Sequence, residues 1–502
     1  MAYRNLKDFV QRLKHENELV EIAKPVSPRL EMTEITDRVS KAKGPALLFT
    51  NPEGYDVPVL INAYGSERRM ALALGVDCVD EIADRIRKLV AMKPPGTWRE
   101  KLAALFELKE IAQYFPKQVK EGRCKEVILK GDQASLDRLP VMTCWPNDGG
   151  PYITLPQIYT RDPVTGIRNV GLYRMQVFNG LTTGMHWQIH KVGASHFREY
   201  AKNKRRMEAA VALGGDPALL YSASAPLPPN IDELLFCGFL RRSPVELVKC
   251  ETVDVDVPAD AEIVLEGYID PEEERMEGPF GDHTGYYSLA EPYPVFHITC
   301  ITMAHDPIYP STIVGIPPQE DAFIGKATER IFLPLLQMTF PEIVDLELPV
   351  EGGFHSLAIV SIKKSYPGHG FKIAHSLWGM GMMSLTKSII VVDAHVNVHE
   401  YGEVLWRVAN NVAPERDVQF VKGPVDALDN SSEYPSFGSK MCIDATRKLP
   451  NEGYNRPWPP DISMSGEVKK KIDRLWSELG LPISLEESKR RVFQITPEDI
   501  AP

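Results

Sequence analysis

Residues 261–303 read AEIVLEGYIDPEEERMEGPFGDHTGYYSLAEPYPVFHITCITM. Two strand patterns flank a turn-rich centre. AEIVLEGYI (Ala261 to Ile269) and VFHITCITM (Val295 to Met303) are apolar and β-branched, a composition that suits a pleated, half-buried surface. Between them stands EGPFGDHTGYY, Glu277 to Tyr287, where Gly278, Pro279 and Gly281 separate two acids, Glu277 and Asp282. Proline fixes φ and glycine admits unusual backbone angles, so this is a shaped loop and not a regular element. Just upstream, the alternation of Val253, Val255 and Val257 predicts a further half-buried strand. Turn residues recur through the same region: Asp162-Pro163, Asn179-Gly180 and Gly214-Gly215-Asp216-Pro217. Many strands between turns, from Phe115 to Thr312, predict a barrel or sandwich with inserted helices.

Outward from this centre the pattern changes. Leu6, Phe9, Val10 and Leu13 mark an amphipathic first helix, and Met32, Ile35 and Val39 a second. Gly44-Pro45 stops the second, and buried strands follow at Ala46 to Phe49 and Val57 to Asn62, so the first ~110 residues read as a small α/β unit. On the other side, Asp321 to Met338 is helical. LAIVSI (Leu357 to Ile362) and SIIVVD (Ser388 to Asp393) are continuous apolar runs, as buried parallel strands are. Phe340 to Leu481 therefore reads as an α/β domain, with a last amphipathic helix through Val468, Ile472, Leu475, Trp476 and Leu479.

A chain of 502 residues holds two to four domains. Its 57 basic against 68 acidic residues leave a charge of −11, which argues against nucleic acid as partner and against an anionic membrane surface. The short basic stretch Lys202 to Arg206 reads as a solvated helix face. Seven cysteines, an odd number without a C-x-x-C pair, predict free thiols in a reducing, cytoplasmic compartment. The N-terminus lacks the apolar core of a signal peptide, and no apolar run is long enough to span a bilayer.

Four constellations could carry chemistry. The loop acids Glu277 and Asp282 could transfer protons if one is kept protonated while the other is ionised; the plain alternative is a surface turn with solvated acids. NVGLYRMQV, Asn169 to Val177, reads as one strand. Asn169, Gly171, Tyr173 and Met175 fall on one face, and Val170, Leu172, Arg174 and Gln176 on the other. A buried Arg174 would need an anion, for which Glu277 is a candidate; an exposed arginine on an edge strand is the alternative. TGMHWQIHKVG, Thr183 to Gly193, places His186 and His190 four apart, a spacing that suits a metal but is common without one. In PLPPNIDELLFCGFL, Pro226 to Leu240, Asn230 predicts an N-cap with Glu233 at the third helical position. Glu233 is then either a capping-box acid or, with Asn169 and His190, a ligand of a hard divalent cation such as Mn2+ or Mg2+.

Together, in this order, the four resemble the UbiD family. Its members carry a strand N-x-G-x-Y-R, then M-x-W-x-x-H, then a helix-start glutamate, then E-G-P-[FY]-G-[DE]. All four stand between Asn169 and Asp282. The resemblance extends to GPALLF and NPEGY near the start, LPVMTCWPNDGGPYIT at Leu139 to Thr154, and FGSKMCIDAT at Phe437 to Thr446. It looks most like the branch acting on 3-polyprenyl-4-hydroxybenzoate in ubiquinone synthesis.

The resemblance implies an α/β and α+β multidomain protein. It would have an N-terminal α/β region (1–114), a central flavin-binding split β-barrel (115–320), a linking helix (321–339) and a C-terminal α/β oligomerisation domain (340–502). It implies reversible, non-oxidative decarboxylation of an aromatic acid through a covalent adduct with prenylated FMN, which a UbiX-type flavin prenyltransferase supplies. The catalytic set falls on Arg174, Glu277 and Asp282, with Asp282 as proton donor and Glu277 paired with Arg174. His283, directly after the acid, either orients it or is bonded within the turn. The metal ligands fall on Asn169, His190 and Glu233, with K+ as a further ion, and a flavin-contacting lysine falls on Lys387. A homo-oligomer, dimer or hexamer, is expected. Two other readings stand beside this one: an ordinary FMN oxidoreductase, and a non-catalytic assembly subunit that keeps the fold.

Overall fold

A computed structural model describes residues 2–91, 111–188, 191–228 and 231–489. The chain forms two compact units, Met1–Ile331 and Phe332–Pro502. The helix Glu320–Thr339 carries the chain from the first into the second. Among the described residues no helix is long and apolar enough to cross a membrane.

In the first unit the helix Leu6–His15 begins at Asn5, whose side chain accepts from the Asp8 amide, and it buries Leu6, Phe9, Val10 and Leu13. A mixed four-stranded sheet runs Leu19–Ile22, Ala46–Phe49, Val59–Ile61, Tyr309–Pro310. The expected strand at Ala46 to Phe49 is there residue for residue, because four consecutive buried apolar side chains leave no polar face to show water.

A nine-stranded sheet forms the centre of this unit. Its order is Tyr152–Ile153, Met175–Asn179, Thr182–Gly184, Glu291–Met303, Ile263–Glu277, Met207–Leu213, Gln157–Arg161, Arg168–Leu172. Val127–Lys130 adds to Glu291–Met303 from outside that path. The two long strands predicted around the shaped loop pair as an antiparallel hairpin, with Glu277 opposite Glu291 at its loop end. The segment Asn169 to Val177 departs from expectation. It is two strands, Arg168–Leu172 and Met175–Asn179, interrupted at Tyr173-Arg174. These two strands lie last and second in the sheet order, yet only two residues join them. Three peptide steps reach about 11 Å at most, so the far ends of the sheet must come together. The sheet is rolled into a barrel, split where Arg174 stands.

The strand expected through Val253, Val255 and Val257 is also shorter, only Asp256–Pro258. The buried carboxylate of Glu266 accepts the amides of Glu251 and Thr252, and this bends the chain away from a ladder.

The second unit is a five-stranded sheet ordered Ile343–Glu347, Leu357–Ile362, Ser388–Asp393, Phe437–Asp444, Val418–Pro424. The three inner strands are parallel and both edges antiparallel. Ala358, Val360, Ile362, Ile389 and Val391 pack on one side with Ile373 and Leu377 of the helix His369–Trp378. Ile359 and Val392 pack on the other with Val404 of the helix Tyr401–Asn411. The helix Gly466–Leu475 tightens into a 3-10 turn at Trp476–Leu479, and a short helix, Leu485–Lys489, follows.

Ile389, fully buried in the central strand, tests this packing. Ile389→Ala should lower the unfolding free energy by about 2–5 kcal/mol, read as a fall in the denaturation midpoint. Val164→Ala, at a turn residue 76% exposed, should change it by about 0.5 kcal/mol or less. Equal effects would reject the central placement.

Candidate active site

The site grows from the crossing. Arg174 projects its guanidinium onto the hairpin connection that follows Glu277. Nε donates to Glu277 Oε1 at 3.1 Å, Nη2 donates to Ser288 Oγ at 3.1 Å, and Nη1 donates to Asp282 Oδ2. The guanidinium also lies 4.6 Å from the centre of the Phe280 ring. Glu277 is fully buried and Asp282 is 6% exposed. The surface-turn reading of these acids is therefore excluded: no solvated turn keeps two carboxylates out of water around one cation.

The expected division of labour, Glu277 on Arg174 with Asp282 left freer, is not what the geometry shows. Arg174 bridges both acids. Glu277 has a second donor, His186 Nδ1, 2.9 Å from Oε2. Asp282 Oδ1 accepts from the His283 amide and from His283 Nδ1, both at 2.8 Å. Burial pushes the Glu277 carboxyl up, but the His186 hydrogen bond and the Arg174 charge outweigh it and hold the group below its ordinary value. For Asp282 burial acts the same way; the hydrogen bond and charge of His283, with Arg174 added, overcome it and hold the carboxyl far below the usual range. Opposite charges and donors lower a carboxyl more than desolvation raises it when they sit this close. Both acids are thus held toward the anion.

Glu233 bonds the strand Arg168–Leu172 one residue from Asn169. Glu233 Oε2 accepts from the Val170 amide at 3.1 Å. The expected cap is corrected: Asp232, not Asn230, caps the helix, accepting from Leu234 N at 2.7 Å, and Glu233 is its first residue. A capping-box role for Glu233 is thereby removed. Asn230 and His190 lie outside the described residues. Asn169 is 4% exposed and its Nδ2 has no hydrogen-bond partner. Burial pushes the Glu233 carboxyl up to about 7. A buried carboxyl raised in this way fits a hard divalent cation, which would keep the acid ionised. Lys387 stands just before the strand Ser388–Asp393; its ammonium donates to Asp429 Oδ1 at 2.8 Å and to Ser431 Oγ at 2.9 Å.

Sequence reasoning missed Ser288 on Arg174 and paired His186 with His190 instead of Glu277. It also missed Gln176, whose Oε1 accepts from the Gly278 amide at 2.8 Å. Gln176 shares Arg174's strand parity, the one local signal available; Ser288 has none.

A proton competes with any cation for Glu233. Its raised carboxyl, at about 7, means the proton must be displaced below that pH and is absent above it. Mn2+ affinity should therefore rise by up to about tenfold per pH unit below 7 and level off above. Affinity that stays flat from about pH 5.5 to 8 in a calorimetric titration would remove Glu233 from the ligand set.

Three family models match in chain order. They describe 3-octaprenyl-4-hydroxybenzoate carboxy-lyase: its N-terminal domain at residues 10–86, its Rift-related domain at 117–317 and its C-terminal domain at 322–445. An uncharacterized protein of Archaeoglobus fulgidus is 53% identical over 481 residues, 95% of this chain and 99% of its own. The closed form of Sedimentibacter hydroxybenzoicus vanillic acid decarboxylase has a TM-score of 0.84 at 27% identity, over 96% of this chain and 100% of that one. The UbiD-class enzyme HmfF from Pelotomaculum thermopropionicum, in complex with FMN, has a TM-score of 0.76 at 31% identity, over 91% and 97%. An evolved dimeric form of HmfF, in complex with prFMN, has a TM-score of 0.74 at 29% identity over the same shares. The motif order from Asn169 to Asp282, the split barrel and these full-length likenesses agree: the chain belongs to the UbiD family of carboxy-lyases.

Proposed function

We propose that the protein removes CO2 from an aromatic carboxylic acid, a hydroxyaryl acid in particular, with prenylated FMN as cofactor and a place in quinone synthesis. The observation that carries this is the Arg174 guanidinium clamped between two buried carboxylates at the split of the barrel. The likeness to a vanillic acid decarboxylase and to an enzyme holding prFMN supports the substrate class and the cofactor. Asn169, His190 and Glu233 are proposed to hold Mn2+ or Mg2+, whose charge would neutralise the flavin phosphate, and Lys387 is proposed to contact the flavin. A UbiX-type prenyltransferase supplies the cofactor, and the protein works as a homo-oligomer.

When bound, the prenylated flavin supplies an electron sink for the pair left on the ring carbon as CO2 departs. The chain's own residues handle charge and proton. Arg174 is the cation toward which a substrate carboxylate is drawn. That carboxylate brings a third negative charge beside Glu277 and Asp282, and a nearby like charge raises a carboxyl's proton affinity. Asp282 takes up a proton under that influence. When the C–C bond breaks, the proton passes from the Asp282 oxygen to the ring carbon, a C–H bond forms, and Asp282 returns to the carboxylate that Arg174 and His283 stabilise. Glu277, gripped by both His186 and Arg174, stays ionised and keeps Arg174 in place. The reverse path abstracts the ring proton with the same Asp282 oxygen.

Two outcomes test this. Protein made without the prenyltransferase should be inactive in a CO2-release screen over hydroxybenzoates, and co-expression should restore activity; full activity with plain FMN would sink the cofactor assignment. Asp282→Asn keeps the size and removes the titrating proton. It should retain flavin and metal yet lose H/D exchange at the reacting carbon by about 100-fold or more. Near-normal exchange would reject the proton-transfer role.

A further inference from the structure

The turn TCWPNDGG, Thr143 to Gly150, is bonded to the loop that carries Asp282. Asp148 is its centre. Oδ2 accepts from the amides of Cys144 at 3.1 Å and Trp145 at 2.8 Å, which closes the turn on itself. Oδ1 accepts at 2.9 Å from the amide of Gly281, the residue before Asp282. The Gly149 amide donates to Pro279 O at 2.7 Å, and the Tyr152 hydroxyl lies 3.2 Å from the same oxygen. The two backbones approach more closely than side chains allow. A Cβ on Gly149 would stand 2.3 Å from Gly278 O, and a Cβ on Gly281 2.3 Å from the Trp145 indole. Asp148 thus joins two segments 133 residues apart through charge-assisted amide bonds, the strong class of hydrogen bond. Burial pushes the Asp148 carboxyl above its ordinary value, against the pull of the three amide donors and the Arg174 charge.

We propose that Asp148 is a positioning residue: by holding the Gly281 amide it sets where the Asp282 carboxylate stands relative to the reacting carbon. The catalytic half of this inference rests on the decarboxylase reading; the structural half does not. A reacting group displaced by 1 Å can lose about 100-fold in rate, and such groups are placed well only when their supports are themselves fixed. Asp282 is anchored on one side by Arg174 and on the other by His283, its own neighbour. The loop backbone carries that pair, and Asp148 bonds the backbone one residue away.

The test uses the loaded holoenzyme. Asp148→Asn keeps size and one acceptor oxygen, but its NH2 then faces an amide N–H, so one arm of the bridge opens. Amide deuterium uptake of a peptide covering 278–288 should rise about tenfold or more, with uptake in Met207–Leu213 unchanged. Bound flavin and KM should stay within about twofold, while kcat per bound flavin falls about 10- to 100-fold. On an Asp282→Glu background, where placement is already altered, the same substitution should cost less than about threefold, the non-additivity of residues that act through one another. Unchanged loop uptake overturns the proposal. So does an unchanged kcat per flavin in a loosened loop, or full additivity with Asp282→Glu. If the Asn variant does not fold, Asp148→Glu, which keeps charge and both oxygens but shifts them by one methylene, is read by the same criteria. Uptake needs no substrate: a wild-type protein inert toward every aromatic acid would overturn the decarboxylase reading, while uptake still decides for or against the Asp148 bridge.

Discussion

Two residues, Tyr173 and Arg174, join strands that stand last and second in a nine-stranded sheet. That short link forces the sheet to close, and it puts an arginine at the seam, where neither ladder takes up its side chain. A guanidinium there is largely out of water and needs anions at bonding distance. The nearest source is the connection of the longest hairpin, whose first residue past the ladder follows Glu277. Closure of the barrel and assembly of the site are thus one event: the seam positions the cation, the cation gathers Glu277 and Asp282, and Ser288 ties the returning strand to the same group.

The charges are distributed unevenly around Arg174. Glu277 has a histidine on its far side, His186, and Asp282 has another, His283. The row His186, Glu277, Arg174, Asp282, His283 alternates donors and acceptors, so each carboxylate keeps a donor even if Arg174 turns toward an incoming anion. This differs from a lone buried ion pair, where withdrawing one partner strands the other at a cost of several kcal/mol. A site that must admit a carboxylate and release CO2 changes its charge in every turnover, and alternation lets it do so without unfolding the loop.

How much of this the chain announces depends on whether the governing contact is local. LAIVSI and SIIVVD coincide with Leu357–Ile362 and Ser388–Asp393, because a run apolar on both faces has few places other than the middle of a covered parallel sheet. The helix at Asp321 to Met338 and the strand at Ala46 to Phe49 were legible for similar reasons. The break at Tyr173-Arg174 was not: alternation continues through it, and only the pairing shows that the two halves take different partners, Gln157–Arg161 for the first and Tyr152–Ile153 with Thr182–Gly184 for the second. The lost strand at Val253 has its origin in the carboxylate of Glu266, 14 residues beyond Thr252. Within the site, the motif order pointed to Arg174, Glu277 and Asp282, but not to their arrangement. Two Asx residues, Asn230 and Asp232, compete for one cap by sequence alone, and the choice moves Glu233 from third helical position to first. His186 offered a regular spacing to His190 that masked its bond to Glu277.

Asp282 illustrates why the loop is so heavily bonded. Its carboxylate accepts from the next residue's amide, so one oxygen is fixed relative to its own backbone. A glutamate would add a rotatable bond and could not close that ring in the same way; the aspartate leaves almost no side-chain freedom to correct a misplaced backbone. Accuracy must then come from the loop itself. Its polar backbone groups are accordingly engaged along the length: Gly278 N by Gln176, Pro279 O by Gly149, Phe280 N and O by Ser288, Gly281 N by Asp148, Asp282 N by Tyr286 O and Asp282 O by Gly285. A short acid on a loose loop would be free to miss its carbon. A short acid on a stretch bonded at each residue from Gly278 to Asp282 has one position, and the chemistry is built around that position.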